Sequence, residues 1–348
     1  MKNFIKKTLF FLAPILLLLI VTEMFYHTDK GDLIRFGYVF DTGTYYDNVK
    51  ASGKVVPSRY TPFSRLNIES QNKFTLLTIG DSFSERGKYG YKNYLANAEN
   101  VSVLHIDRSL SKNQLQTLIA LSNGDFFEKI KVNYVILQIV ERGVIKLNEN
   151  ITFEKTLNIG ELQKEGETKI LKTNQHHKYN LFSDRIFKIP LVNLLYIFDD
   201  NPKYSSTYKV KTNKKYFTGK NDKLLFVNED IQNLSYNNDF EAIDSFNKTL
   251  STLHQKLKTK GVQLIFLPAP DKYSIYYNAI SEKEKYPKPL FFEYFNTLPK
   301  EYCYLNTYEI ITKLINTEKD VYYYDDTHWT PRTSEFIAEK LNKKIKEN

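Results

Sequence analysis

The chain has 348 residues, 42% hydrophobic and 26% charged, a balance that excludes large-scale disorder and allows one large core or two smaller ones. Its formal net charge of +9 suits an anionic partner, but the lysines are dispersed among Asn, Tyr and Ile with no compact basic block. That sets nucleic acid aside and leaves a generally basic surface. Cys303 is the single cysteine, which excludes an intrachain disulfide and a thiolate metal cluster; the histidines at 27, 105, 176, 177, 254 and 328 show no zinc-type spacing. No metal and no cofactor are expected.

In chain order, Lys2, Lys6 and Lys7 precede the apolar run "LFFLAPILLLLIV" at 9–21, with Met24 and Phe25 extending it. This is the pattern of a signal sequence or short signal anchor over 1–25, its basic flank cytoplasmic and the body of the protein exported. No small-x-small cleavage site follows and no lipobox cysteine is available, so an uncleaved anchor is favoured over a removed peptide. Residues 26–72 are polar and aromatic with Gly and Pro punctuation, and read as a lead-in on the domain surface with little regular structure. A catalytic domain over 73–348 then begins with a strand at 74–79, a helix near 91–98, a strand at 101–106, a helix near 114–121 and a strand at 134–140. Strands alternating with helices at this spacing predict a mostly parallel sheet covered on both faces. Residues about 150–235, rich in Lys, Asn and Tyr, break the rhythm and read as an inserted subdomain. The rhythm resumes with a helix at about 240–260 ended by Gly261, a strand at 262–267, a short strand near 302–305, a helix after Tyr308 and a last helix from Pro331.

The first core strand breaks at Gly80-Asp81-Ser82, in "FTLLTIGDSFSERG". The loop after such a strand opens where ligands bind, and Ser82 is placed there like a nucleophile. Serine at its free pKa attacks poorly and needs a base within hydrogen-bond reach. The segment "YYYDDTHWTPR" at 322–332 supplies one: Asp326 and His328 are two apart in a loop, so the carboxylate can hold one ring nitrogen and leave the other free. Asp325 is the alternative orienter. Each piece alone is common; the serine after the first core strand together with Asp-x-His before the last helix points to a Ser-His-Asp site.

The "GDSF" after the first strand and the Asp-His pair before the last helix resemble the SGNH (GDSL-type) hydrolase superfamily. More narrowly, "DTHW", Pro268-Ala269-Pro270-Asp271-Lys272 and Glu141-Arg142 look like the SGNH-like domain of the bacterial alginate O-acetyltransferases AlgJ and AlgX. The resemblance covers roughly residues 70 to 345. It implies a three-layer α/β/α sandwich of flavodoxin-like form, with Ser82 as nucleophile, His328 as general base and Asp326 as its orienter. Two departures stand out. Ordinary SGNH esterases have Gly-x-Asn-Asp after the third strand, where this chain has Val140-Glu141-Arg142-Gly143. The alginate enzymes carry Asp-x-His before the serine, whereas here it follows.

Four further residues are candidates for oxyanion or substrate binding. Arg142 is placed to donate to an oxyanion or a substrate carboxylate, or else to brace the loops through Glu141 or Asp81. Lys272 either binds an anionic sugar or is a solvated loop lysine. Tyr89, close after the nucleophile with Tyr91, either meets a sugar or packs in the core; Trp329 either packs the histidine or forms a sugar platform. The expectation is an exported serine O-acyltransferase acting on an envelope or secreted polysaccharide, anchored to the cell membrane with its catalytic domain periplasmic. The alternatives are a carbohydrate esterase with the same triad and a non-catalytic glycan-binding subunit. Because acetyl-CoA is cytosolic, the resemblance implies a membrane-bound O-acyltransferase partner that passes the acyl group across the membrane.

Overall fold

The computed structural model describes residues 2–25, 31–40, 44–172 and 185–347; His27 and the His176-His177 pair lie outside them. The strands are β1 (Thr61–Pro62), β2 (Lys73–Ile79), β3 (Val103–Ile106), β4 (Lys131–Val140), β5 (Thr207–Lys211), β6 (Lys223–Val227), β7 (Gln263–Ala269) and β8 (Cys303–Tyr304). Six of them form one parallel sheet in the order β1-β3-β2-β4-β7-β8. Chain direction across the sheet reverses between β2 and β4, the topological switch point at which such sheets bind ligands. Side chains alternate along each strand: Leu77, Ile79, Val135, Leu137, Leu264 and Phe266 join one buried cluster, while Leu76, Ile136, Ile265 and Leu267 join the other. Two apolar faces require two helical layers.

On the first face lie helices Gln114–Asn123 and Phe240–Lys258. Asn113 caps the former by accepting from the Gln116 N–H, and Asp239 caps the latter by accepting from the Ala242 N–H. Gly261, at φ 74°, supplies the left-handed residue that ends the longer helix and turns it into β7. On the second face lie Tyr91–Ala96 and Pro331–Glu347, with the β5–β6 hairpin beyond.

The structure corrects two boundaries. The lead-in is not a surface wrapping: Asp32–Gly37 and Thr44–Ala51 are helices, β1 extends the sheet beside β3, and Leu33 and Ile34 are buried at 0% and 1% exposure. These elements are short, so their conformation is set by long-range contacts such as Leu33 N–H to Asp325 C=O, 3.0 Å. Residues 207–227 do not build a core of their own, since Val210, Leu224 and Phe226 share the cluster that holds Ile265 and Tyr273. At the N-terminus Lys2–Phe25 is one helix containing Pro14. Among the described residues no helix is long and apolar enough to cross a membrane, so the expected anchor is not supported as a spanning segment.

Candidate active site

β2 delivers Ser82 to the switch point through a turn that only glycine permits. A Cβ on Gly80 would lie 2.2 Å from Ser84 Oγ and 2.6 Å from Gln138 Oε1. The side chain of Gln138, on neighbouring β4, accepts from the Asp81 N–H at 3.1 Å and from Ser84 Oγ at 2.9 Å. Asp81 reaches back to accept the Val140 N–H at 2.6 Å and the Phe83 N–H at 2.9 Å. The serine turn is thus pinned to both sides of the strand pair.

The segment 322–332 brings the histidine to it. His328 Nε2 lies 2.7 Å from Ser82 Oγ, and His328 Nδ1 lies 2.5 Å from Asp326 Oδ1. Asp326 Oδ1 also accepts the His328 backbone N–H at 2.9 Å, which folds the two-residue spacing into a closed turn. The spacing chosen is that of Asp326, not Asp325. Arg86 Nη2 donates to the same Asp326 oxygen at 2.7 Å. Burial works against ionising Asp326, but His328 and Arg86 outweigh it and hold the carboxyl well below the ordinary range. The Phe83 ring packs on His328 with centroids 4.5 Å apart, so the imidazole is held on its face as well as by both nitrogens.

Three contributors carry no obvious mark in the sequence. Arg86 stands four residues after Ser82 in "SFSER", a spacing with no motif to mark it. Asp32 comes from the N-terminal segment: it accepts from Thr327 N–H and Thr327 hydroxyl, and its Oδ2 is 3.9 Å from His328 Nδ1. Burial and the adjacent Asp326 raise its pKa. Glu85 accepts from the Arg108 N–H at 2.6 Å, pairs with buried His105 at 3.0 Å and lies 3.6 Å from buried Lys92. Burial alone would raise its pKa, yet His105 and Lys92 bring it down to about 2. That cluster fixes the loop from which Arg86 projects.

The other predicted residues are placed differently. Arg142 Nη1 is committed to carboxylates, Asp271 Oδ1 at 2.5 Å and Asp230 Oδ1 at 3.2 Å, so it takes the bracing alternative, at the mouths of β4 and β7, with these partners in place of Glu141 or Asp81. Lys272 is 1% exposed and donates to the carbonyls of Tyr323 at 2.6 Å and Tyr324 at 2.8 Å. It holds the histidine loop from beneath and does not face a sugar. Trp329, at 1% exposure, packs edge-on against Phe83, which covers the histidine ring, and its remaining edge borders the cavity that Tyr89 lines. Tyr89 lines a cavity of about 150 Å³ with Tyr46, Lys50, Arg86 and Tyr323, next to the Asp326 carboxylate that Arg86 holds.

Residues 218–348 match a family model described as the SGNH hydrolase-like domain of the acetyltransferase AlgX. The resemblance holds over this AlgX-like segment. It contains Asp326, His328 and Lys272, whereas Ser82, Arg86 and Asp32 come from the chain before it. No curated protein sequence matches the chain. The AlgX-like segment therefore brings His328 and Asp326, and the residues N-terminal to it bring the Ser82 hydroxyl and the two groups, Asp32 and Arg86, that flank Asp326.

Proposed function

We propose that the chain is an exported serine O-acyltransferase that acetylates hydroxyls of an envelope or secreted polysaccharide. The observation that carries this is the line Ser82 Oγ to His328 Nε2, 2.7 Å, with Asp326 on the opposite ring nitrogen at 2.5 Å. His328 takes the Ser82 proton as the oxygen attacks the donor carbonyl, and Asp326 with Arg86 stabilises the imidazolium that forms. Collapse of the tetrahedral intermediate expels the donor's leaving group, which takes that proton, and leaves acetyl on Ser82. A sugar hydroxyl then gives its proton to His328 as it attacks the acyl carbonyl, and Ser82 recovers that proton on leaving.

Oxyanion stabilisation falls to the backbone of the serine turn. The N–H groups of Asp81, Phe83, Ser84 and Glu85 are taken by Gln138 Oε1, Asp81 Oδ1, Asp81 C=O and Ser82 C=O. The N–H of Ser82 is engaged by none of these acceptors, and its place beside the attacking oxygen suits it to an oxyanion that forms there. Transfer is preferred to hydrolysis because the matched description is that of an acetyltransferase. Export rests on Lys2, Lys6 and Lys7 ahead of the apolar run at 9–21, and it calls for a membrane-bound O-acyltransferase as the source of acyl groups. The test is Ser82→Ala. Folding should be retained, while acetylation of cell polysaccharide and acyl-enzyme formation on an aryl acetate fall by several orders of magnitude; near wild-type activity in the folded variant would end the enzyme reading.

A further inference from the structure

Helix Arg185–Leu195 is apolar on both sides. Ile189 and Val192, at 1% and 0% exposure, face the protein, and the outer face of such a helix is ordinarily polar. Here it carries Phe187, Leu191, Leu194 and, just past its end, Phe198, between 45% and 82% exposed. The spacing i, i+4, i+7, i+11 makes them one stripe. Single exposed apolar residues are ordinary, but a continuous apolar surface marks a contact.

The stripe is continued on both sides. Asn193 Nδ2 donates to the Tyr38 carbonyl at 2.6 Å and Asn193 Oδ1 accepts the Phe40 N–H at 3.0 Å, which seats exposed Phe36 and Phe40 alongside. Helix Lys2–Phe25 packs against the same helix. In it Leu9, Phe10, Phe11 and Leu12 are all exposed, at 45–81%. Four consecutive residues circle a helix of 3.6 residues per turn, so this helix presents apolar groups in every direction. A protein partner would cover one side of it; a hydrocarbon medium covers all of them. The rim fits the same medium, because Lys188, Lys203 and Lys209 each lie over a tyrosine ring, Tyr38, Tyr204 and Tyr196. Cations and amphipathic aromatic rings together are what the headgroup layer selects.

We infer that the Phe187, Leu191, Leu194 and Phe198 stripe is seated in the surface of a lipid bilayer, a second membrane contact beside the N-terminal helix, with its basic rim at anionic headgroups. The consequence for catalysis rests on the acyl-transfer reading above. Segment 32–40 joins the stripe, through Asn193, to the histidine loop, through Asp32 and Thr327. Its helix Asp32–Gly37 has six residues, about 9 Å of rise. The catalytic loop is thereby held close to the membrane surface, where an acyl group delivered by a membrane-embedded donor emerges.

The test uses the full chain with Cys303→Ser and one fluorophore, attached at Phe198→Cys, Phe10→Cys or Lys258→Cys. The last lies on helix Phe240–Lys258, which covers the other face of the sheet. Each protein is reconstituted into vesicles of phosphatidylcholine and phosphatidylglycerol containing nitroxide-labelled lipid. Labels at 198 and 10 should be strongly quenched and the label at 258 should not. A label at 198 that stays in water while that at 10 is quenched overturns the inference and leaves anchoring by the N-terminal helix standing. A label at 198 already shielded before lipid is added shows self-association through the stripe and also overturns it. Aryl acetate turnover of the same labelled proteins is read separately, so loss of the acyl-transfer reading does not affect the outcome.

Discussion

The carboxylate of Asp32 accepts both the backbone N–H of Thr327, at 2.8 Å, and its hydroxyl, at 2.6 Å, across 295 positions of chain. Thr327 lies between Asp326 and His328, so this grip sets the turn that aims His328 Nε2 at Ser82. Asp32→Ala leaves two donors of Thr327 without their acceptor, an effect of about 1–3 kcal/mol on the loop. Turnover of an aryl acetate should fall roughly tenfold or more, and Asp32→Asn, which keeps one acceptor, should fall less. Unchanged kcat in Asp32→Ala would show that Asp326, Phe83 and Arg86 suffice to hold the ring.

Lys272→Met keeps an unbranched side chain, one atom shorter, and removes its donors. The carbonyls of Tyr323 and Tyr324 lose their partner inside the protein, at a cost of about 1–3 kcal/mol each. Both Tm and kcat should drop, with KM for acceptor sugar nearly unchanged in the folded fraction. A substrate-binding lysine would give the reverse, a raised KM at constant Tm. Measuring all three quantities on one preparation decides between them.

Arg142→Ala should unfold the protein more readily without slowing the chemistry of what remains folded. Without the guanidinium, Asp271 and Asp230 face each other in the interior; breaking a buried pair from one side typically costs about 3–5 kcal/mol. The loss should be smaller at pH 5 than at pH 8, because burial raises the pKa of both carboxyls and at the lower pH they take up protons. Stopped-flow acylation of the folded variant at the wild-type rate is the expected result. A hundredfold slower burst would instead restore Arg142 as an oxyanion donor.

Glu141 gives the fold a pH dependence of known sign. Burial, with Asp271 adding to it, raises its pKa to about 8, whereas an unfolded glutamate titrates at about 4.3. Between those values the folded state holds the extra proton, so this contribution is complete below about pH 4 and is lost as pH rises through about 8. Glu141→Gln mimics the protonated acid, accepting from the Asp271 N–H and donating to Ser274 Oγ, the two groups Glu141 contacts. Wild type and variant should melt alike near pH 5, and the variant should be the more stable at pH 9. Parallel melting curves across that range would mean the proton is held elsewhere in the Asp230, Asp271 and Glu141 cluster.

The sequence by itself determined the parallel sheet, the turn that carries Ser82 and the loop that carries Asp326 and His328. Those are local facts: β-branched runs ended by glycine, a helix ended by Gly261, and a two-residue spacing that can close through one carboxylate oxygen. The tertiary structure alone decided the rest. Asp32 falls in a segment read as a surface lead-in, until a six-residue helix, too short to stand without its neighbours, places it against Thr327. Lysine and arginine codes do not say whether a cation faces water, carbonyls or carboxylates, so the alternatives for Lys272 and Arg142 stay open in the sequence, and the structure places both as braces. The same holds for Trp329, read as packing the histidine or forming a platform until its contact with Phe83 is seen. Periodicity reports which face of an element is apolar; which groups meet at the end of a sheet depends on strand order, and strand order is settled by contacts made far apart in the chain.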